Sequence, residues 1–417
     1  MDLSLVIASN IQYLMEHAHI TQNELAVQLG LSRQTVSKLL KGKAPFDIVQ
    51  LEKVARIFRL SVEDLLNEKS LTKAKICYRF TTPESGVPEG MEELLTRYIE
   101  RYRTLSAKVG DTSIFIPEQY NLFAKVKGKN ISVIGELGNL IDDSYEVDSA
   151  LVDQIRSISD EQRKKLELKD GGAIELISAL SKNHIRVVFL DLGTSEVSGA
   201  SVCDQKYGCF IFVNANASLT VERQLFTVAY EYGQILLHRQ MYSSSFGEIT
   251  NDAFSKYLNS MASKFAARLL CPPTLIEQYE GELSKVRNNL QQVVSVAVKI
   301  KHKAQISLQA VITSLKDYGF ISKSMCDDFF TLIKNTELFA TEPFPIIEDN
   351  NLNEKFLNER NYCLTELVVK SFFYGMISED DIASLYNCSK DDAHQRYSIL
   401  VDESQKIADL FNTETQI

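Results

Sequence analysis

The stretch TQNELAVQLGLSRQTVSKLLKGK, residues 21–43, constrains the fold of this chain more than any other. Thr21 is followed three residues later by Glu24, a spacing at which the two side chains satisfy each other's free backbone N–H groups and start a helix. Gly30 suits the left-handed backbone that ends a helix, and Ser32 suits the cap of the next one. The pattern predicts two helices joined by a tight turn.

Apolar residues at helical spacing predict how this pair of helices packs. They are Leu25, Ala26 and Leu29 before the turn, and Leu31, Val36 and Leu39 after it. Ala26 is small at the place where the two helices would cross. Apolar residues also recur at helical intervals between residues 3 and 14, which predicts another helix in front of the pair.

Positive charge is concentrated in this part of an otherwise acidic chain. The 417 residues carry a net charge of −10, whereas residues 31–59 alone carry +5. The basic residues of this segment are Arg33, Lys38, Lys41, Lys43, Lys53, Arg56 and Arg59, and its acidic residues are Asp47 and Glu52. A basic patch of this size is typical of a surface that contacts nucleic acid.

Residues 1–69 resemble the Cro/cI repressor (XRE-type) helix-turn-helix, because the helix spacing and the Gly42–Lys43 pair fall where that family has them. The resemblance implies a five-helix, lambda-repressor-like DNA-binding domain. It further implies contacts to base edges from Arg33, Gln34 and Lys38, and contacts to phosphates from Gln22, Ser32, Thr35, Ser37 and Lys43. The alternative that these residues are only the solvated face of a helical bundle stays open.

A second motif, FTVAYEYGQILLH at residues 226–238, has the outline of a zinc-peptidase helix without its histidines. Before it, Ile185–Leu190 predicts a strand, and residues 199–216 predict a hairpin that turns at Tyr207–Gly208. After it, a helix ends in FAARLLCP, residues 265–272. This order of elements resembles the ImmA/IrrE family of zinc metallopeptidases over about residues 150–280. The resemblance implies an α+β zincin-like domain with a small sheet.

The ligand positions of that family can be compared with this chain residue by residue. The family uses H-E-x-x-H, since residues i and i+4 share one helical face and both imidazoles reach one zinc ion. Here the two positions hold Tyr230 and Gln234 around Glu231, and the third ligand position falls on Met261. A phenol, a neutral amide and a thioether are poor zinc ligands. We therefore predict a pseudopeptidase with no catalytic residues, no metal and no cofactor.

The histidines and cysteines outside these motifs indicate structural roles. His238 lies two helical turns beyond Tyr230, and we expect it to be a hydrogen-bonded structural residue. The seven cysteines are scattered, and no two have CxxC spacing, which favours reduced thiols. No apolar run approaches the roughly 18 residues of a membrane span, and the N-terminus lacks the pattern of a secretory signal. We expect a cytoplasmic protein without a membrane helix.

These features predict a multidomain, mainly α protein. The predicted parts are a DNA-binding domain at 1–69, a linker or helical segment of unknown role at 70–149, an ImmA/IrrE-like pseudopeptidase domain at 150–340 and a helical C-terminal region at 341–417. Within the last part, residues 375–400 loosely mimic a helix-turn-helix, but the acidity of residues 378–392 would repel phosphate. We expect this region to serve packing or dimerisation.

The leading interpretation is a DNA-binding transcription regulator, namely a repressor, with a body that senses or oligomerises. Regulators of this class bind palindromic double-stranded operators as dimers, so we expect a homodimer. Two alternatives stay open. One is an active metallopeptidase that uses atypical ligands to cleave a partner regulator. The other is an antitoxin or phage-defence interaction protein, and a peptide or small-molecule effector is compatible with it and with the regulator.

Overall fold

The computed structural model describes residues 3–17, 20–57, 62–66, 75–81, 86–126, 129–134, 137–139, 141, 148–169, 171–204, 207–242, 252–335 and 342–414. The chain divides into two compact units, Met1–Ala74 and Lys75–Ile417. Arg59, which was counted in the basic segment, lies outside the described residues.

The first unit consists of helices. They are α1 (Leu3–His17), α2 (Gln22–Leu29), α3 (Arg33–Leu40), α4 (Ile48–Ile57) and α5 (Val62–Leu66). Leu25, Val36 and Leu65 meet in one apolar core and are fully buried. Asn10 ties α1 to the end of α5 through a 3.0 Å hydrogen bond to the carbonyl of Leu65. The predicted five-helix fold is confirmed.

All six described strands lie in the first part of the second unit. In chain order they and their helices are β1 (Cys77–Phe80), α6 (Met91–Lys108), β2 (Phe123–Val126), β3 (Lys129–Ser132), α7 (Ser149–Lys165), α8 (Glu175–Lys182), β4 (Ile185–Leu190), β5 (Val197–Asp204) and β6 (Gly208–Asn214). Strands β5 and β6 form the predicted hairpin, with Gly208 in the left-handed region at φ 78°. Strands β2 and β3 pair separately.

The remainder of the second unit is helical. Its helices are α9 (Val221–Leu237), α10 (Asp252–Leu270), α11 (Pro273–Glu277), α12 (Glu280–Val286), α13 (Leu290–Ala304), α14 (Leu308–Asp317), α15 (Lys323–Asn335), α16 (Asn350–Glu359), α17 (Tyr362–Phe373), α18 (Glu379–Tyr386) and α19 (Lys390–Glu414). The mainly α class with a small mixed sheet is thereby confirmed.

The four-stranded sheet has the order β1-β5-β6-β4, with only β4 and β6 parallel. Side chains alternate between the two faces of a strand. Ser201 and Gly199 therefore face α9 on one side, whereas Phe210 and Phe212 face the other side. There the ring of Tyr102 on α6 meets Phe210 edge-on at 5.3 Å. Helices thus cover both faces of the sheet.

From residue 75 onwards, the segments on both sides of the peptidase-like segment lie in the same compact unit as that segment. From 70–149, β1 supplies an edge strand and α6 covers the sheet. From 341–417, Cys363 on α17 donates its thiol to the carbonyl of Val187 in β4 at 2.9 Å. The hydroxyl of Tyr98 on α6 donates to the carbonyl of Leu385 on α18 at 3.1 Å.

One prediction about the cysteines is wrong. Cys203 and Cys209 form a disulfide, since they lie directly opposite each other in the antiparallel pair of β5 and β6. Their spacing in sequence gave no sign of this pairing, because it depends on where the hairpin turns. Among the described residues, no helix combines the length and the apolar character that a membrane span requires.

Candidate functional site

Helix α3 is set against α2 by local capping interactions. Thr21 and Glu24 form the predicted capping box, and Gly30 ends α2 in the left-handed region at φ 73°. The Ser32 side chain then accepts a 3.1 Å hydrogen bond from the backbone N–H of Thr35, which starts α3. The turn geometry predicted from residues 21–43 is therefore present.

The buried and exposed sides of α3 separate as the sequence pattern requires. Val36, Leu39 and Leu40 are buried, whereas Arg33, Gln34, Thr35 and Lys38 are exposed and Ser37 is half-buried. Of the remaining predicted contacts, Lys43 is exposed and Gln22 is half-buried. Among the described residues no side chain pairs with Arg33, Gln34 or Lys38. The three predicted base-contacting residues are thus available to a ligand.

Two other residues of the segment 31–59, Lys53 and Gly42, contact the rest of the first unit. The ammonium of Lys53 on α4 donates to the carbonyl of Leu29 at 3.2 Å, where it serves the C-terminal end of α2. Gly42 adopts a positive φ of 65°, and a Cβ there would lie 2.5 Å from Cδ2 of Leu5. The left-handed backbone, more than the contact with the flexible Leu5 side chain, therefore favours glycine at this position of the Gly42–Lys43 pair.

In the second unit, Tyr230 and Gln234, which the sequence comparison placed where zinc peptidases have histidines, bond each other. Nε2 of Gln234 donates to the Tyr230 hydroxyl at 3.0 Å, and that hydroxyl donates to Oδ1 of Asn259 on α10 at 2.6 Å. Oε1 of Gln234 accepts from Nδ1 of His238, which is fully buried. These side chains form one relay along the face of α9. His238 is thus the hydrogen-bonded structural residue that was predicted.

Glu231 points away from this relay, towards the sheet. Its Oε2 accepts a hydrogen bond from the hydroxyl of Ser201 in β5, and that hydroxyl lies 2.7 Å from the hydroxyl of Tyr242. Burial raises the pKa of Glu231 to about 7, against the opposing effects of Ser201 and Arg79. No described residue bonds its other oxygen. Glu231 is therefore a buried carboxyl group with one satisfied and one unsatisfied oxygen.

A guanidinium group from β1 lies over the outer side of the same site. Arg79 is 4.4 Å from the ring centre of Tyr230 and 5.2 Å from that of Phe226. Its Nη1 donates to Oγ1 of Thr227 at 2.7 Å. Burial lowers the pKa of Arg79 to about 10, while Tyr230 and Glu231 act in the opposite direction. A protein cation thus stands beside the residues at the predicted ligand positions.

Met261, at the third predicted ligand position, is fully buried on α10 in the apolar core that also contains Tyr230. Helices α9 and α10 approach closely, since a Cβ at Gly233 would lie 2.7 Å from Cδ1 of Phe265. Within the described ranges, no three His, Cys, Asp or Glu side chains are grouped so that they could hold a metal ion.

Sequence reasoning missed Arg79, Asn259 and Ser201. They lie between 29 and 148 residues from their partners in α9, and no motif marks them. Only the pairing of β1 with β5 and the packing of α10 on α9 bring them to the site.

The two units differ in class: one is an exposed helix-turn-helix and the other is a sheet and helices around a closed polar site. Residues 10–68 match the Cro/C1-type HTH DNA-binding domain. Residues 181–316 match the IrrE N-terminal-like domain. The chain thus carries both parts, which confirms the predicted combination, and the first match supports a DNA-binding regulator. No curated protein and no solved structure matches the chain.

Proposed function

We propose that this protein is a cytoplasmic transcription repressor that binds a palindromic DNA operator as a homodimer, and that its IrrE-like unit does not cleave peptides. The observation that carries the proposal is the exposure of Arg33, Gln34 and Lys38 on one capped helix within a basic segment. Arginine pairs with guanine and glutamine pairs with adenine through two hydrogen bonds each.

The dimer follows from the size of the recognition surface. One recognition helix of about two turns reaches only a few base pairs, so two copies are needed to specify an operator. The eight residues of α3 have this length. A two-fold dimer then requires an operator with two-fold symmetry.

The residues of the IrrE-like unit do not fit zinc. Burial raises the pKa of the Tyr230 hydroxyl above its ordinary value, which disfavours the phenolate that would ligate a metal. Both polar atoms of the Gln234 amide are already hydrogen-bonded, and Met261 offers a soft thioether. The guanidinium of Arg79 beside Tyr230 would also repel a divalent cation. Glu231 then has no metal-bound water to deprotonate.

The regulator is tested by titrating the purified protein with a fragment of its own promoter at several salt concentrations. We expect binding that depends on sequence and weakens as salt rises, because phosphate contacts release counterions. Equal affinity for the promoter and for unrelated DNA of the same length would contradict the proposal.

The inactive site is tested by metal analysis of the purified protein. We expect less than about one tenth of a zinc ion per chain, since the whole ligand set differs from the one that zinc takes. Stoichiometric zinc, together with cleavage of a partner regulator that Glu231→Gln abolishes, would show that the protein is an enzyme.

A further inference from the structure

Strand β1 is placed so that it closes the degenerate site from outside. It is an edge strand of the sheet, and among the described strands it pairs only with β5, where Cys77 lies opposite Ser201 and Arg79 lies opposite Gly199. Directly opposed residues project to the same face of a sheet. Cys77 and Arg79 therefore face α9, and Arg79 reaches Tyr230, Phe226 and Thr227.

The absence of a side chain at Gly199 creates the path for Arg79. A Cβ at Gly199 would lie 2.4 Å from Cγ2 of Thr227, because α9 packs directly on the backbone of β5. The long side chain opposite can thus cross the strand and lie flat on α9. There Thr227 offers an acceptor, and the rings of Phe226 and Tyr230 offer their faces. This acceptor and these two rings form an arginine pocket at the edge of β5 that β1 covers.

Strand β1 is less completely buried than strands β4 and β6 of the same sheet. Each of its four residues is half-buried, whereas β4 and β6 are buried along their whole length. Its register is interrupted between Arg79 and Phe80. The Tyr78 hydroxyl is buried without a hydrogen-bond partner among the described residues, which costs free energy. Edge strands of this kind can be replaced by another extended chain.

We propose that the β5 edge and its arginine pocket form a receptor for an extended, arginine-bearing segment of a partner protein, and that β1 is the internal strand with which this segment exchanges. The inference rests on the proposed function, because it takes the site to be a sensor that does not cleave. The incoming segment would pair antiparallel to β5 and place its arginine where Arg79 now lies. An effector recognised in this way is a peptide strand and not a small molecule.

The test uses a labelled peptide with the sequence of residues 75–81 that carries Cys77→Ser, and the full-length protein. In the wild type the tethered β1 competes at an effective concentration in the millimolar range, so the peptide should bind weakly. In the Arg79→Ala protein this competitor has lost a cation–π contact and a hydrogen bond. We expect the peptide to bind that variant about tenfold more tightly than the wild type, as measured by fluorescence anisotropy.

The matched control is the same peptide with Arg79→Ala. It should bind the Arg79→Ala protein about tenfold more weakly than the arginine peptide does, and Thr227→Val in that protein should reduce the difference. Equal binding of both peptides, or no binding of either, would overturn the proposal.

A second measurement uses only the wild-type protein and is independent of how the variants fold. Cys77 in β1 and Cys388, two residues after α18, are both half-buried free thiols. Excess arginine peptide should raise the rate at which a thiol reagent labels Cys77 at least about twofold, because displacement of β1 exposes it, and should leave Cys388 unchanged. An unchanged Cys77 rate would refute strand exchange. Both readouts are independent of DNA and zinc, so their failure would leave the repressor proposal standing.

Discussion

Gln34 and Gln234 carry the same side chain in opposite circumstances. The amide of Gln34 is exposed on α3, and among the described residues it has no partner. The amide of Gln234 is buried on α9, and both of its polar atoms are bonded, to Tyr230 and to His238. A polar group is available for recognition only where the fold does not satisfy it. Gln34 in the first unit is therefore available to a ligand, whereas the amide of Gln234 in the second unit is already bonded within the protein.

The same contrast separates the arginines. Arg33 is exposed at the start of α3, whereas Arg79 stacks on Tyr230 and donates to Thr227. Residue type alone would place both in a basic binding surface. Substitutions in the first unit should thus affect mainly DNA affinity, and substitutions in the second unit should affect mainly stability.

The largest expected effect concerns a buried charge in the second unit. The ammonium of Lys301 is fully buried and lies 2.5 Å from Glu222 and 3.1 Å from Glu342. Lys301→Met would leave the buried carboxyl group of Glu222 and the half-buried one of Glu342 without their cation, and we expect the free energy of unfolding to fall by about 3–5 kcal/mol. Urea unfolding measures this change.

Lys299, two residues away on the same helix, provides the matched control. Its ammonium pairs with Glu282 at 2.6 Å on an exposed surface. Lys299→Met should cost less than about 1 kcal/mol. Similar losses for the two variants would contradict the view that buried polar contacts hold this unit together.

The second effect is a dependence of stability on pH. Burial raises the pKa of Glu231 from 4.5 to about 7, so the folded state binds its proton more tightly than the unfolded state. Its contribution to stability is complete below pH 4.5 and is lost as the pH rises to about 7. Glu231→Gln cannot ionise, and relative to the wild type it should gain about 3 kcal/mol between pH 4.5 and pH 8.

His238 changes the pH dependence of stability in the opposite direction, both in the wild type and in Glu231→Gln. Burial lowers its pKa to about 3, so its contribution is lost as the pH falls below 6.5. The difference between Glu231→Gln and the wild type, measured by urea unfolding at each pH, removes this term. Glu354→Gln at an exposed position of α16 is the control and should show no such trend. A difference that stays constant from pH 4.5 to pH 8 would show that Glu231 is not buried as described.

The third effect sharpens the role of the exposed helix. Arg33→Ala combined with Gln34→Ala should reduce operator affinity about 100-fold, because it removes two side chains that each discriminate a base. Melting of the variant should not change, since both side chains are exposed. Gln28→Ala, at an exposed position of α2, is the control and should bind the operator like the wild type. If the double variant binds normally, the predicted base contacts are wrong.

The smallest effect concerns a residue that is both bonded within the protein and exposed to a ligand. Ser32 caps α3 and is also a predicted phosphate contact. Ser32→Ala should cost about 1 kcal/mol of stability in the first unit and weaken binding to all DNA sequences alike. Ser9→Ala, at an exposed position of α1, is the control for thermal unfolding. A sequence-dependent loss of affinity would instead assign Ser32 to base recognition.

The first unit was predictable because its determinants are local. The capping box at Thr21, the left-handed Gly30 and the cap at Ser32 each act within one helical turn, and so the pattern could be read from consecutive residues. The strand at Ile185–Leu190 and the existence of the hairpin were predictable for the same reason. The turn was predicted too far along the chain, because Gly208 already belongs to β6 and pairs with Asp204.

The second unit was predictable only in part, because its contacts join distant residues. The substitutions at Tyr230 and Gln234 are visible in the sequence, but their bonds to Asn259 and His238 depend on how α10 packs on α9. The Cys203–Cys209 disulfide and the strand that carries Arg79 depend on sheet register.

By itself, the sequence determined the helix-turn-helix, its basic segment and the run from Tyr230 to Gln234, since each follows from residue type and short-range spacing. Only the tertiary structure decided which side chains surround Tyr230 and Gln234. Arg79 reaches it because β1 pairs with β5 opposite Gly199, a register that no spacing along the chain encodes. Hydrogen bonding between strands and close packing of α9 on β5 fix that register.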